Sequence, residues 1–199
     1  MSTQTNSSYI ETPLGNFYFD NPQDFDYTKL KNLENTNFKN IYRFLGQDQS
    51  DRVSLYTHSR NVQAVFNILY PEHSDMSFVA FFHDISEYFI SDIPTPLKNR
   101  IDQHSNNFLK NLEENILDCF FKQTGFSNWK DYWEEVQEAD SIMLVLEGSL
   151  LERDFAKNLL SRKHVSILAE LALNGDHPVL ESVPASIAYK YLKELDSLR

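Results

Sequence analysis

Cysteine and glycine are both scarce in this chain of 199 residues. The one cysteine, Cys119, lies within the apolar run ILDCFF, and there are only five glycines. A single cysteine excludes an intrachain disulfide framework and a thiolate zinc cluster. We therefore expect Cys119 to be a core residue, and the stability of the fold to come from packing.

An excess of basic residues is also absent. The chain has 18 Lys and Arg residues against 29 Asp and Glu residues, which gives a formal net charge of -11. This balance argues against a protein that binds a polynucleotide through its phosphate backbone. A small phosphorylated ligand stays compatible with it, because a metal ion and two or three basic groups can neutralise such a molecule locally.

Long hydrophobic runs are missing as well. No segment approaches the roughly 18 consecutive apolar residues of a membrane span. The start of the chain, MSTQTNSSYIETP, lacks the basic and apolar regions of a signal peptide. These features predict a soluble cytoplasmic protein that does not bind membranes.

Hydrophobic residues, counted with Ala, Cys and the aromatic residues, make up 41% of the sequence. Most of them recur at helical spacing. We predict an all-α fold, a bundle of about six or seven helices. Residues 1–22 form a separate N-terminal arm, which contains an extended segment or short hairpin at residues 8–22. Residues 23–199 form a single domain.

The individual helices follow from apolar stripes and stop signals. Ser54 is the expected N-cap of a helix that closes at Pro71, and Gly125 is the expected stop of another. The predicted helices are a segment from Val53, a continuous central helix over Met76–Ile90, Ser105–Thr124 with Phe108 in its core stripe, a long segment over Asn128–Leu151, and C-terminal helices at 162–173 and 184–196.

The stretch FFHDISEYFISDIPTP, residues 81–96, places three carboxylates in an apolar setting. An unpaired buried charge costs several kcal/mol or shifts its pKa until the group is neutral. A divalent cation would compensate these charges. Two further residues fit such a site, since His58 and Asp140 both fall on the inward faces of predicted helices.

His58, His83, Asp84 and Asp140 are therefore the candidate ligands of one divalent metal ion. Imidazole and carboxylate ligands suit Mn, Fe, Co, Ni, Zn or Mg better than Ca. Such an ion lowers the pKa of a water ligand and polarises phosphoryl oxygens, which favours phosphoester hydrolysis. Taken singly, each residue has a simpler interpretation: an inward histidine is commonly a core residue, and an inward aspartate commonly pairs with Lys or Arg.

Two more carboxylates accompany the candidate ligands. Glu87 lies one helical turn after His83, on the same face, and Asp92 follows in the next turn of the chain. A pair of nearby carboxyl groups has one raised and one ordinary pKa, so the pair can supply an acid and a base at the same pH. We predict that Glu87 and Asp92 are catalytic.

The order His58, His83-Asp84, Asp140 resembles the H...HD...D signature of the HD-domain metal-dependent phosphohydrolases, which are all-helical. The stretch HDISEYFISDIPTPLK is similar to the branch that contains bacterial 5'-deoxynucleotidases and phage deoxynucleotide phosphohydrolases. TPLGNFYFDNP and EADSIMLVLE also match segments of this branch, and the resemblance runs from Ile10 to Ala156.

The resemblance implies roles at matching positions. Arg43 matches an arginine that contacts substrate phosphate, and Phe44 stands where relatives have an aromatic residue against the nucleoside. Arg52 and Lys98 could supply positive charge for further phosphates. The deoxynucleotidases have tryptophan at the position of Phe44, so the preferred base stays open. Surface ion pairs and plain core packing are the alternatives for these four residues.

The implied function is a metal-dependent hydrolase that cleaves the 5'-ester bond at the α-phosphorus of a deoxynucleotide. We lean towards a deoxynucleoside triphosphate, dATP in particular, because the N-terminal arm resembles viral members; the host cytoplasm would then be its location. The alternatives are a 5'-deoxynucleotidase acting on monophosphates, a hydrolase of cyclic or guanosine polyphosphates, and a non-catalytic nucleotide-binding module. Assembly into a homo-oligomer stays open.

Overall fold

The computed structural model describes residues 8–31, 37–43 and 53–150. Over these ranges the protein is mostly helical with one small sheet, which confirms the predicted all-α class. The helices predicted at 162–173 and 184–196 lie outside the described residues. None of the described helices is both long and apolar enough to span a membrane.

Two strands and six α-helices make up the regular structure of the described ranges, together with several short 3₁₀ turns. In chain order they are β1 (Tyr9–Thr12), β2 (Gly15–Tyr18), α1 (Leu55–Leu69), α2 (Ser77–Phe81), α3 (Glu87–Ile90), α4 (Thr95–His104), α5 (Phe108–Thr124) and α6 (Trp133–Leu150).

The chain divides into two compact units. The first unit comprises the residues up to Thr57 together with Phe82–Asp131, and the second comprises His58–Phe81 and the chain from Tyr132 onward. The first unit thus contains the sheet and helices α3 to α5. The second contains α2, α6 and all but the first turn of α1. The prediction of an arm over 1–22 and one domain over 23–199 stays a prediction.

The N-terminal segment of the first unit is a hairpin, one of the two forms that the sequence left open. Strands β1 and β2 are antiparallel, with Tyr9 opposite Tyr18 and Thr12 opposite Gly15. The Thr12 hydroxyl donates to the Gly15 carbonyl at 2.8 Å and accepts from the Leu14 amide at 3.1 Å. Gly15 has φ +132°, a backbone conformation that favours glycine.

An aromatic cluster joins this hairpin to α3 within the first unit. The rings of Phe17 and Phe89 stack with their centroids 4.0 Å apart, and the Phe25 ring packs edge-on against both. Gln123 on α5 fixes the connecting segment, since its side chain accepts from the Tyr27 amide and donates to the Phe25 carbonyl, each at 3.0 Å. Phe89 on α3 is thus packed against the hairpin and against the segment that Gln123 of α5 fixes.

The predicted continuous helix over Met76–Ile90 is wrong. Helix α2 ends at Phe81 and α3 begins at Glu87, and the intervening turn is closed by i to i+3 hydrogen bonds such as that from the Glu87 amide to the Asp84 carbonyl, 3.0 Å. Apolar residues occur on all sides of this stretch when it is drawn as a helix, so its periodicity carried no sign of the break. The turn contains His83 and Asp84.

The helix predicted over Ser105–Thr124 is shorter than expected and follows another helix. Asn106 and Asn107 have φ of +54° and +60°, which separates α4 from α5. The Asp102 carboxylate accepts from the Leu109 amide at 2.8 Å and so caps the first turn of α5. Gly125, with φ +96°, ends α5 as predicted. Phe108 was expected in the core stripe but is 53% exposed, because it lies at the first turn of α5.

Helices α1 and α6 carry the polar residues of the second unit on mostly apolar faces. Buried residues of α1 include Val62, Val65 and Phe66, and those of α6 include Val136 and Met143. An apolar face of this kind is the amphipathic pattern of a core-facing helix. In the first unit, the Ser54 hydroxyl accepts from the Thr57 amide at 3.1 Å, the bond of the predicted N-cap of α1.

Candidate metal centre

His58 is fully buried on the inward face of α1, as its apolar spacing predicted. One ring nitrogen, Nε2, lies 3.1 Å from Oδ1 of Asp140 on α6. Asp140 stands in a stripe of α6 that also contains apolar residues such as Val136 and Met143. Two of the predicted ligands are therefore neighbours within the second unit.

The other ring nitrogen of His58 contacts a residue that the sequence did not single out. Nδ1 lies 2.9 Å from Oε1 and 3.1 Å from Oε2 of Glu147, whose side chain is 1% exposed. Glu147 follows Asp140 by two helical turns, so both carboxylates emerge from the same face of α6. The signal that could have found Glu147 was present: a second acidic residue in the same apolar stripe.

His83 and Asp84 form the corresponding cluster in the first unit. His83 is buried, and its Nε2 lies 3.1 Å from Oδ2 of Asp84. The same Asp84 oxygen accepts a hydrogen bond from Nη1 of Arg43 at 3.0 Å. The predicted phosphate-binding arginine thus contacts a predicted metal ligand, and its guanidinium is only 10% exposed.

Glu87, the first residue of α3, is a buried carboxyl group with an unusual pKa. Its exposure is 4%, and its Oε2 has no hydrogen-bond partner among the described residues. Burial raises the pKa of Glu87 to about 8, and the negative charges of Asp84 and Asp92 add to the effect, while Arg43 and Lys98 oppose it. The carboxyl group is therefore protonated at neutral pH, which makes it a proton donor.

Lys98, on α4, contacts two carboxylates of the first unit. Its Nζ lies 2.6 Å from Oε1 of Glu113 and 3.7 Å from Oε1 of Glu87. These negative charges raise the pKa of Lys98 against the opposing effect of its partial burial. Glu113 was not predicted as part of the site, because nothing in the pattern of α5 distinguishes it from other acidic residues there.

Within each unit, the predicted ligands offer atoms of the kinds that a metal ion accepts. His58 and Asp140 offer an imidazole nitrogen and a carboxylate oxygen within the second unit, and His83 and Asp84 offer the same two kinds of atom within the first. Imidazole nitrogens and carboxylate oxygens are ligands that first-row transition metals and zinc accept. The donor set therefore fits a metal ion.

The remaining predicted residues have different positions. Asp84 contacts His83 and Arg43 within the first unit. Asp92 lies just after α3, close enough for its charge to raise the pKa of Glu87. Phe44 and Arg52 lie outside the described residues.

No protein-family model matches the chain, and no curated protein matches it either. The resemblance to HD-domain phosphohydrolases therefore stays a prediction that rests on the motif residues themselves.

Proposed function

We propose that this protein is a metal-dependent phosphohydrolase that cleaves the bond between the 5'-oxygen and the α-phosphorus of a deoxynucleotide. The observation that carries the proposal is Glu87: a buried carboxyl group with a raised pKa and an oxygen that has no partner among the described residues. A module that only binds nucleotide gains nothing from such a costly group. A hydrolase needs it to transfer a proton.

In this proposal one divalent ion is held by His58, His83 and Asp140, with Asp84 as the fourth ligand. The contact of His58 with Asp140 in the second unit, and that of His83 with Asp84 in the first, support it. Mn, Co, Zn, Mg and Fe are the candidate ions. When bound, such an ion activates a water molecule and polarises a phosphoryl oxygen.

Glu87 is the proton donor of the proposed reaction. The carboxyl group gives its proton to the 5'-oxygen as the bond to the α-phosphorus breaks. It then regains a proton from the attacking water, whose oxygen ends on the released phosphate group. Asp92 is the second carboxylate, and its negative charge keeps Glu87 protonated when substrate arrives, because it raises the pKa of that neighbour.

The basic residues are assigned by what they contact. Arg43 reaches Asp84 at 3.0 Å, so a phosphate that enters beside Asp84 can share the guanidinium through its several donors. Lys98 contacts Glu87 and Glu113, and we assign it to substrate only where a triphosphate extends past the α-phosphorus. The resemblance assigns Phe44 to the nucleoside, and Arg52 is a further basic residue that could supply charge for the outer phosphates.

The substrate is a small deoxynucleotide, and we favour dATP over a monophosphate because the N-terminal segment TPLGNFYFDNP resembles phage members. Both substrates react at the same phosphorus, so one arrangement of residues serves either. A cytoplasmic location is part of this proposal, since deoxynucleotides are found there.

A product analysis tests the proposal. Purified protein is incubated with dATP or dAMP and Mn²⁺, Co²⁺, Mg²⁺ or Zn²⁺, and the products are separated by chromatography. We expect deoxyadenosine with intact triphosphate from dATP, and deoxyadenosine with orthophosphate from dAMP. Release of dADP with orthophosphate, or of dAMP with pyrophosphate, would show attack at a different phosphorus. Absence of any product with every metal would favour the nucleotide-binding module.

A further inference from the structure

The contact between His58 and Glu147 has no role in the proposed reaction, although both side chains are almost completely buried. Both carboxylate oxygens of Glu147 lie within hydrogen-bond distance of Nδ1, at 2.9 and 3.1 Å. An ionised carboxylate only accepts hydrogen bonds, so Nδ1 must carry the proton in this contact. The position of that proton determines what the opposite nitrogen of the ring can do.

With its proton on Nδ1, a neutral His58 presents the lone pair of Nε2 towards Asp140. The distance from Nε2 to Oδ1 of Asp140 is 3.1 Å. Two electron-pair donors at this separation need a positive charge between them or beside them. A proton can provide it in the absence of metal, and a divalent ion provides it when both atoms become ligands.

We propose that Glu147 is a positioning residue for the metal ion: it holds the proton of His58 on Nδ1, fixes the ring plane and makes Nε2 the ligand atom. The inference rests on the proposed metal site. Ligating histidines commonly donate their second ring nitrogen to a carboxylate, which orients the ring and increases its basicity. Glu147 can do this with little cost in entropy, because α6 and the surrounding core already restrain its side chain.

Metal affinity is the first test. Apparent dissociation constants for Mn²⁺ and Co²⁺ are measured by competition with a metallochromic chelator for the wild-type protein and for Glu147→Gln. We expect metal binding to weaken about 10- to 100-fold. Glu134→Gln is the matched control, since it makes the same chemical change at an exposed position of the same helix. Equal affinities for Glu147→Gln and wild type, with the variant folded, would overturn the proposal.

The protonation of His58 is a second test, and it needs no substitution at Glu147. Nitrogen-15 spectra of the imidazole rings are recorded for the Zn²⁺-loaded wild-type protein, with His58→Gln used to assign the resonances. We expect a proton on Nδ1 that exchanges slowly with solvent, and Nε2 bound to the metal. A proton on Nε2, or ligation through Nδ1, would contradict the proposal even if Glu147→Gln did not fold.

The two tests also separate this inference from the proposed activity. A wild-type protein that binds metal and shows the expected His58 spectrum, yet hydrolyses no deoxynucleotide, would leave the role of Glu147 intact and refute the phosphohydrolase. An active protein whose metal affinity is unaffected by Glu147→Gln would support the phosphohydrolase and refute the role of Glu147. Glu147→Asp should recover part of the lost affinity, because it restores the negative charge at a greater distance.

Discussion

Two polar clusters, each with a buried residue at its centre, differ in how their carboxylates are compensated. The His58 cluster, consisting of His58, Asp140 and Glu147, brings two carboxylates to the two nitrogens of one imidazole. In the Glu87 cluster, consisting of Arg43, Asp84, Glu87, Lys98 and Glu113, the carboxylates contact the side chains of Arg43 and Lys98.

Because of this difference, the His58 cluster is suited to binding a metal ion, and the Glu87 cluster is suited to holding a protonated carboxyl group. In the His58 cluster, a divalent ion would add the positive charge that two carboxylates and a lone pair favour. In the Glu87 cluster, fixed cations already oppose the repulsion between Glu87 and its acidic neighbours, and burial still keeps Glu87 protonated. The predictions below test whether the two clusters divide the work in this way.

The largest effect is expected from Asp140→Asn in the His58 cluster. The amide removes the negative charge that a divalent ion requires while leaving the size of the side chain almost unchanged. We expect no measurable Mn²⁺ or Co²⁺ binding in a chelator competition assay and no hydrolysis. Asp131→Asn, an exposed change in the segment before α6, is the control. Normal metal content in Asp140→Asn would remove Asp140 from the ligand set.

Glu87→Gln should affect the reaction and spare the metal ion. Because glutamine cannot transfer a proton, turnover should fall by roughly 10²- to 10⁴-fold. Metal content, measured by elemental analysis, should equal that of the wild-type protein. Glu114→Gln, at an exposed residue of the first unit, should change neither quantity. If Glu87→Gln lost its metal instead, the proposed division between the clusters would be wrong.

The same substitution should change how stability depends on pH in the metal-free protein. The pKa of Glu87 rises from an ordinary 4.5 to about 8 on folding. Between these values the folded state binds more protons than the unfolded state, so the free energy of unfolding falls as pH rises through this window. Urea unfolding at pH 5 and pH 9 should show a smaller fall for Glu87→Gln than for wild type. Parallel pH curves would indicate an ordinary pKa.

Phe17→Ala tests whether the aromatic cluster supports the Glu87 cluster. Phe17 is fully buried and stacks on Phe89, two residues after Glu87. Its truncation should lower the free energy of unfolding by about 3–5 kcal/mol, measured by chemical denaturation. Phe108→Ala, at a ring that is 53% exposed, should cost far less. A loss for Phe17→Ala as small as that for Phe108→Ala would mean that the packing of Phe17 on Phe89 contributes little to the stability of the fold.

Arg43→Ala should produce the smallest effect. We expect substrate binding to weaken by about 1.5 to 3 kcal/mol, the size of a hydrogen bond to a charged group, seen as a raised KM. Arg100→Ala, at an exposed position of α4, is the control. Because Arg43 also contacts Asp84, metal affinity must be measured in parallel. A loss confined to metal affinity would mean that Arg43 positions Asp84 and does not bind the substrate phosphate.

The sequence indicated the regular parts of the fold more reliably than the irregular ones. Stop signals such as Gly125, and the cap at Ser54, act through neighbouring backbone atoms, so they could be identified without tertiary information. The break between α2 and α3 could not, because a segment with apolar residues on all of its helical faces gives no periodic signal of where it breaks. Nor did the apolar stripe reveal that Phe108 is exposed.

By itself, the sequence determined the helical class and the inward positions of His58 and Asp140, because helical spacing alone decides which residues share a face. Only the tertiary structure decided which atoms meet. It brought Glu147 to Nδ1 of His58 and Arg43 to Asp84, and it paired Lys98 with Glu113. These partners are 89, 41 and 15 positions apart in the chain. Contacts of this kind depend on how elements pack and leave no periodic pattern in either segment.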